Sequence, residues 1–132
     1  GLGLRDLCDE LHDCYRENAT AKALKRMYTQ LPEIVLKPAD AYDCLVRGEI
    51  ETVPIEHLEG RIAATMLVPY PPGIPLIMPG ERFTAQTRAI AEYLQFARLF
   101  DQRFPGFGAD VHGLRLQPGA TGMVYGVDCL KV

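Results

Sequence analysis

Few residues of this chain stand at a spacing that supports catalysis or metal binding. Cys8 and His12 lie four residues apart, so a helix would place both on one face. Such a pair can supply half of a zinc site, but no second pair of ligands accompanies it. We therefore expect no metal site here, and we expect Cys8 to act as a small buried apolar residue.

Asp110 and His112 stand two residues apart, so the carboxylate could orient the imidazole. The chain has no serine, no G-x-G-x-x-G and no P-loop, and its lysines at positions 22, 25, 37 and 131 lie in surface-like patterns. We therefore expect neither a catalytic residue nor a cofactor-binding residue in this chain. A small self-contained enzyme that uses Asp110, His112 and Glu81 is the weaker alternative, because no nucleophile motif accompanies them.

Length and composition limit the class of protein. The chain has 132 residues, of which 48% are hydrophobic and 23% charged, with a net charge of −3. This composition is typical of one globular domain and excludes a coiled coil or a disordered tail. A mildly acidic chain is a poor candidate for binding nucleic acid, and no apolar run is long enough for a membrane span. We expect neither a nucleic-acid partner nor a membrane.

The cysteines and the first residues bear on the compartment and the origin of the chain. The four cysteines form no C-x-x-C pair, so we expect them to be reduced and mostly buried in a cytoplasmic protein. Charged residues interrupt the start of the chain, which argues against a signal peptide. The chain also begins without Met. We expect residues 1–132 to be a single domain cut from a longer protein.

Apolar spacing predicts the helices. A first helix begins at Leu4 and a second at about Thr20, with a bend near Asn18, and Pro32 ends the second. The inner face of the first helix is predicted to contain Leu4, Leu7, Cys8, Leu11 and Tyr15. A short helix follows between Pro38 and Gly48. Thr84 can cap the longest helix, over residues 85–103.

Strands are predicted between and after these helices. Residues 49–54 alternate weakly, residues 61–68 form a short apolar run typical of a central strand, and residues 114–129 indicate a hairpin with a turn at 118–122. The predicted fold class is α+β, with N-terminal helices, a small sheet, one long helix and a C-terminal hairpin.

Half of the prolines of the chain fall within residues 69–80, a stretch that also contains Gly73 and Gly80. No helix can form there, and at most an edge strand fits around residues 74–78. We call residues 69–81 the proline loop. Although Pro72 to Pro75 matches the P-x-x-P pattern of SH3 ligands, the apolar residues that follow indicate a rigid packed loop.

The proline loop and several shorter strings resemble the C-terminal domain of the bacterial ornithine/lysine/arginine decarboxylases. The most specific string is Pro69-Tyr70-Pro71-Pro72-Gly73-Ile74-Pro75, followed by Met78-Pro79-Gly80-Glu81. The resemblance covers nearly the whole chain. The shorter strings that also match lie at residues 4–8, 38–41, 60–64, 104–107, 110–113 and 127–131.

The resemblance implies that the chain is part of an enzyme that depends on pyridoxal 5'-phosphate and has the aspartate-aminotransferase fold. Such enzymes remove CO2 from a basic amino acid to give a diamine or agmatine. The S/T-x-H-K motif of the catalytic lysine is absent, so the cofactor would be bound outside this chain. The implied partners are the N-terminal and cofactor-binding domains, further copies in a homo-oligomer and a small basic amino acid.

By the same resemblance, the proline loop would form a stiff wall at the substrate entrance. The candidate channel residues are Tyr70, Pro71, Pro72, Gly73, Ile74, Pro75 and Glu81, with Glu81 the first candidate to contact a cationic substrate. Two alternatives remain open. The loop could be only a packing joint between domains, or the chain could be a stand-alone binding module with no catalytic role.

Overall fold

The computed structural model describes residues 3–17, 20–70, 73–106, 110–119 and 122–131. Two helices begin the chain, short strands and two further helices follow, and three strands end it, which is the predicted α+β class. The helices are α1 (Leu4–Glu17), α2 (Thr20–Thr29), α3 (Pro38–Val46) and α4 (Arg88–Arg103). The strands are β1 (Glu33–Ile34), β2 (Ile50–Pro54), β3 (Val68–Tyr70), β4 (Glu81–Arg82), β5 (Asp110–His112), β6 (Leu114–Gly119) and β7 (Gly122–Leu130).

Helix α1 presents part of the face that its apolar spacing predicts. Leu7 and Leu11 pack against a cluster of Cys14, Phe100 and Phe104, and the Tyr15 ring stacks on Phe100 with centroids 5.2 Å apart. Leu4 and Cys8 are exposed, so placing these two residues on the inner face was wrong. The reason is that α1 meets the aromatic end of α4 through residues 7, 11, 14 and 15. Among the cysteines, Cys14 and Cys129 are buried. The predicted bend at Asn18 lies outside the described residues.

Helix α3 begins and ends as its sequence indicates. Pro38 occupies the first turn, where a missing N–H costs nothing. The helix stops at Gly48, whose φ of 75° suits glycine. Ala41 on its inner face is fully buried in a small cluster with Ile62, Ala64 and Leu130.

The C-terminal hairpin forms the regular sheet of the molecule. Strand β7 pairs antiparallel with β6 on one side and with β2 on the other. Asp128 of β7 is a buried carboxylate, and the strands on both sides satisfy it. Thr52 Oγ1 donates to Asp128 Oδ1 over 2.7 Å, and Arg115 Nε donates to Oδ2 over 2.6 Å. The predicted hairpin is confirmed, although part of its turn, residues 120 and 121, lies outside the described residues.

The prediction of a regular central strand over residues 61–68 is wrong, although the segment is central. Its backbone bonds alternate between two partners: Ala64 N donates to Asp128 O and Leu130 N to Ile62 O, whereas Ala63 N donates to Glu81 O. These changes of partner leave isolated bridges at Ile62, Ala63 and Leu67 rather than a ladder. Regular pairing begins only in β3.

Helix α4 anchors the core, as predicted: Ala89, Ile90, Tyr93 and Leu94 lie in the main core, and Phe100 lies in a second cluster. A 3₁₀ turn at Ala85–Thr87 precedes it, with Thr84 as the capping residue, and Thr84 N donates to Thr87 Oγ1 over 2.8 Å. Ile90, Leu94 and Phe100 are buried. Burying a side chain of this size contributes about 1.5–3 kcal/mol, so this face stabilises the packing between α2, the sheet and the central segment.

Candidate functional site

The proline loop is the end of an irregular hairpin with arms at residues 60–70 and 73–83. Scattered backbone bonds join the arms: Phe83 N to Arg61 O, Gly80 N to Ala63 O and Leu76 N to Leu67 O, at 2.8–2.9 Å. No edge strand forms over residues 74–78 beyond the single bridge between Leu67 and Ile77. The loop is therefore held by its backbone and by the buried side chains of Leu76 and Ile77.

The tip of this hairpin is turned sharply and leaves apolar side chains exposed. Gly73 N donates to Pro69 O over 2.7 Å, and Gly73 has a φ of 82°. The Tyr70 ring lies against Gly73 so closely that a Cβ there would be 3.0 Å from it. Tyr70 and Ile74 remain about half exposed, at 50% and 52%. The candidate channel residues Pro71 and Pro72 lie outside the described residues.

Strand β5 places Asp110 and His112 beside Tyr70. Tyr70 is directly opposite Asp110 and Val68 opposite His112 in the β3–β5 pair, and alternate residues share a face. The Tyr70 and His112 rings meet edge to face with centroids 4.7 Å apart, and His112 Nε2 lies 3.3 Å from Asp110 Oδ2. We call Tyr70, Asp110 and His112 the tip cluster.

Glu81 lies at the opposite end of the proline loop from Tyr70. Its Oε1 accepts a 3.0 Å hydrogen bond from Met78 N and so closes the turn over residues 78–81. Strand pairing places Glu81 opposite Ile34 of β1. Partial burial raises the pKa of the Glu81 carboxyl above its ordinary value, and the bond from Met78 partly opposes this shift. The structure therefore does not bring Glu81 together with Asp110 and His112 as a small catalytic site would require.

Gly80 fixes the base of the loop. Its carbonyl accepts hydrogen bonds from both Val35 N and Leu36 N, at 3.1 and 3.0 Å. Its φ is 89°, and a Cβ at this position would overlap the carbonyl of Leu36. The close approach of three segments, residues 35–36, residue 63 and residue 80, thus requires glycine.

The remaining candidates for chemistry do not assemble into a site. Cys8 and His12 are both exposed, and within the described ranges no group of at least three Cys, His, Asp or Glu residues could hold a metal ion. Lys22, Lys25, Lys37 and Lys131 are all exposed, so none fits the sheltered lysine that pyridoxal phosphate needs. None of the helices in the described ranges has the length and apolar character to cross a bilayer.

A cavity of about 310 Å³ lies between the 3₁₀ turn at Ile55–His57 and the start of α4. Its rim carries charged side chains that pair with each other or with a neighbour. Arg88 lies 3.4 Å from Glu59, and Arg98 lies 2.9 Å from Glu56. The charges within these two pairs compensate each other, and Glu92 is the remaining carboxylate of the lining. A single exposed carboxylate does not define a ligand site.

These features define an α+β accessory domain, in which a rigid loop lies on a packed support. Within the described residues, every lysine is exposed and no cluster of side chains could hold a metal ion. A family model described as "Orn/Lys/Arg decarboxylase, C-terminal domain" matches residues 21–131. The chain therefore belongs to the family of C-terminal domains of ornithine, lysine and arginine decarboxylases.

Individual relatives agree with this assignment. The chain is 67% identical over 131 residues to lysine decarboxylase LdcA of Pseudomonas aeruginosa, and the matched segment covers 99% of this chain and 17% of that relative. It is 36% identical over 131 residues to the constitutive lysine decarboxylase of Escherichia coli K12, covering 99% and 18%. The solved structure of lysine decarboxylase A from Pseudomonas aeruginosa superposes with a TM-score of 0.90 at 67% identity, covering 99% of this chain and 18% of that one. The chain thus spans less than a fifth of the length of these relatives.

Sequence reasoning missed the tip cluster as a unit. It singled out Tyr70 as part of the proline loop, and Asp110 with His112 as a carboxylate and an imidazole two residues apart. It gave no sign that these three side chains meet. The available signal was the alternation of Val68 with Tyr70 and of Asp110 with His112. That alternation places both residues of each strand on one face, but it does not predict that the two strands pair.

Proposed function

We propose that this chain acts as the C-terminal domain of a decarboxylase that converts a basic amino acid into a diamine or agmatine and CO2. The observation that carries the proposal is the 67% identity to a lysine decarboxylase over 99% of the chain. The structural match at a TM-score of 0.90 supports the same role. Lysine is the first substrate to test, since both relatives described above are lysine decarboxylases.

The chemistry itself would take place outside this chain. Pyridoxal 5'-phosphate, when bound, supplies an electron sink for the electrons left by the departing carboxylate. The exposed lysines here do not fit this cofactor, so the other domains of the same enzyme would hold it. We further propose that the enzyme is cytoplasmic and forms a homo-oligomer. The free thiols of Cys8, Cys44 and Cys129 agree with a reducing compartment.

The role of this chain would be to shape the substrate entrance with the proline loop. Tyr70, Gly73, Ile74 and Pro75 form the tip of the loop, and Glu81 stands at its base. Backbone bonds hold both arms, so little ordering is needed when substrate passes. The partly buried Glu81 carboxylate would attract the cationic end of the substrate.

The first test uses the full-length native protein. We expect an intact mass far above 14.7 kDa, an absorbance band from bound pyridoxal phosphate, and CO2 release from at least one of lysine, ornithine and arginine. A native chain of about the present mass with no such band would contradict the proposal and favour a stand-alone binding module.

A second test addresses the entrance directly. The variant Glu81→Gln should raise KM for the basic amino acid and leave kcat unchanged, because it removes one charge and keeps the acceptor for Met78 N. Glu92→Gln, at an exposed carboxylate on α4, is the matched control and should change neither constant. Unchanged KM and kcat in Glu81→Gln would remove Glu81 from the entrance.

A further inference from the structure

The tip cluster has features that packing alone does not require. The β3–β5 pair turns Pro69 and Val111 toward the protein, where Pro69 is fully buried and Val111 packs against the main core. The opposite face carries Tyr70, Asp110 and His112, which are all exposed, and Val68, which is buried. An aromatic ring, an imidazole and a carboxylate thus share one solvent-facing surface.

Two of these groups are held in place without being covered. Tyr70 is confined by Gly73 on one side and by the edge-to-face contact with His112 on another. Asp110 is held by His112 Nε2 at 3.3 Å, yet 82% of its side chain remains accessible. His112 is therefore a positioning residue that contacts both groups, and a ligand could still reach the carboxylate and the ring.

This combination is selective for one class of ligand. A carboxylate accepts charge-assisted hydrogen bonds from an ammonium or guanidinium group, and a tyrosine ring attracts a cation over its face. An exposed carboxylate beside an exposed aromatic ring therefore suits a cationic side chain rather than an anionic one.

We propose that Tyr70 and Asp110 form an outer contact point for the cationic side chain of the incoming amino acid. This inference rests on the proposed function and adds a second carboxylate to it. Glu81 marks the base of the proline loop and Asp110 marks its tip, so a cationic substrate that moves along the loop contacts a carboxylate at each end.

The decisive experiment measures KM and kcat for lysine in the full-length enzyme. Asp110→Asn and Tyr70→Leu should each raise KM about two- to fivefold, the range for one solvent-exposed charge contact, and leave kcat unchanged. L-norleucine, a neutral analogue, should inhibit the wild-type enzyme and both variants with the same Ki, because it has no side-chain cation.

A further variant tests the positioning role of His112. His112→Ala should raise KM in the wild-type background but add nothing when Asp110→Asn and Tyr70→Leu are already present, because its effect passes through those two side chains. An additional increase in KM in that combined variant would overturn this role. Circular dichroism of each variant should match the wild-type protein, since all three side chains are exposed.

Several outcomes would contradict the proposal. An unchanged KM for lysine in Asp110→Asn, an equal rise in the Ki of norleucine, or an equal rise in KM in the control Glu92→Gln would each overturn it. These results leave the proposed function intact as long as the wild-type enzyme releases CO2 from a basic amino acid. Failure of the wild-type enzyme to do so would overturn the proposed function, and the inference with it.

Discussion

The C-terminal sheet and the irregular hairpin that ends in the proline loop lie side by side, but different contacts hold them in shape. In the sheet, β7 pairs along most of its length with β6 and β2, and a buried carboxylate links side chains from all these strands. In the hairpin of residues 60–83, short-range backbone bonds change partner every few residues, and glycines occupy the closest approaches. Both regions bury apolar side chains in the main core, but the sheet adds continuous backbone ladders and a buried carboxylate, whereas the hairpin adds close backbone approaches that require glycine.

This difference bears on function. A surface whose order comes from its backbone leaves its side chains free to face outward, as Tyr70 and Ile74 do. In the sheet, by contrast, Val127, Cys129 and Leu130 are fully committed to the core. The hairpin is therefore the region where side chains can change specificity at the least cost in stability.

The largest expected change in stability comes from adding one methyl group at the base of the proline loop. Gly80→Ala would place a Cβ on the Leu36 carbonyl at a φ of 89°, so we expect a loss of about 3 kcal/mol in the free energy of unfolding. Gly60→Ala is the matched control: its φ is 85°, but its Cβ would meet nothing within 4 Å. It should cost only about 1 kcal/mol. Urea unfolding followed by tyrosine fluorescence measures both, and equal losses would show that backbone proximity at Gly80 is unimportant.

In the sheet, the corresponding test removes a side-chain partner. Arg115→Ala leaves the buried Asp128 carboxylate with Thr52 alone, and we expect a loss of about 1–2 kcal/mol, reduced because the Arg115 side chain is itself 61% exposed. Arg47→Ala breaks an exposed pair with Glu49 and should cost less than about 0.5 kcal/mol. The same urea titration compares them. A cost for Arg115→Ala no larger than for Arg47→Ala would mean that the sheet does not depend on its buried carboxylate.

The smallest effect concerns pH and the turn at Glu81. Burial raises the pKa of this carboxyl in the folded state, so the folded protein holds the proton more tightly than the unfolded chain. The resulting stability is present at acid pH and is lost as the pH rises through the raised pKa. Glu81→Gln should remove this dependence and change stability at neutral pH by less than about 0.5 kcal/mol. Urea midpoints of both proteins at a series of pH values test this, and parallel curves would contradict it.

Much of the fold follows from local patterns, and the exceptions have physical reasons. Pro38 and Gly48 delimit α3, and alternation predicts the β6–β7 hairpin, because these signals act between near neighbours. Residues 61–68 do not form a regular strand because their backbone bonds alternate between β7 and residues 80–83, and the local apolar pattern does not report that change of partner. The face of α1 was misjudged at Leu4 and Cys8 because the position of α4 decides which side of α1 is covered.

The candidate site was predictable in part. The proline loop stands out by composition alone, and its stiffness follows from that composition. The meeting of Tyr70 with Asp110 depends on a pairing between strands about forty residues apart, which neither segment encodes by itself. The bond from Met78 N to Glu81 Oε1 joins residues only three apart, but the sequence pattern did not predict that the carboxylate turns back to the backbone.

The prolines at the tip also affect how copies of this protein meet before they are fully folded. Pro69 and Pro75 offer no backbone N–H, and the N–H of Gly73 is already bonded to Pro69 O. Such a tip gives a neighbouring chain few donors for edge-to-edge strand pairing, the usual start of β-aggregation. Several copies can therefore carry this exposed apolar loop at high local concentration during synthesis and still be protected from joining through it.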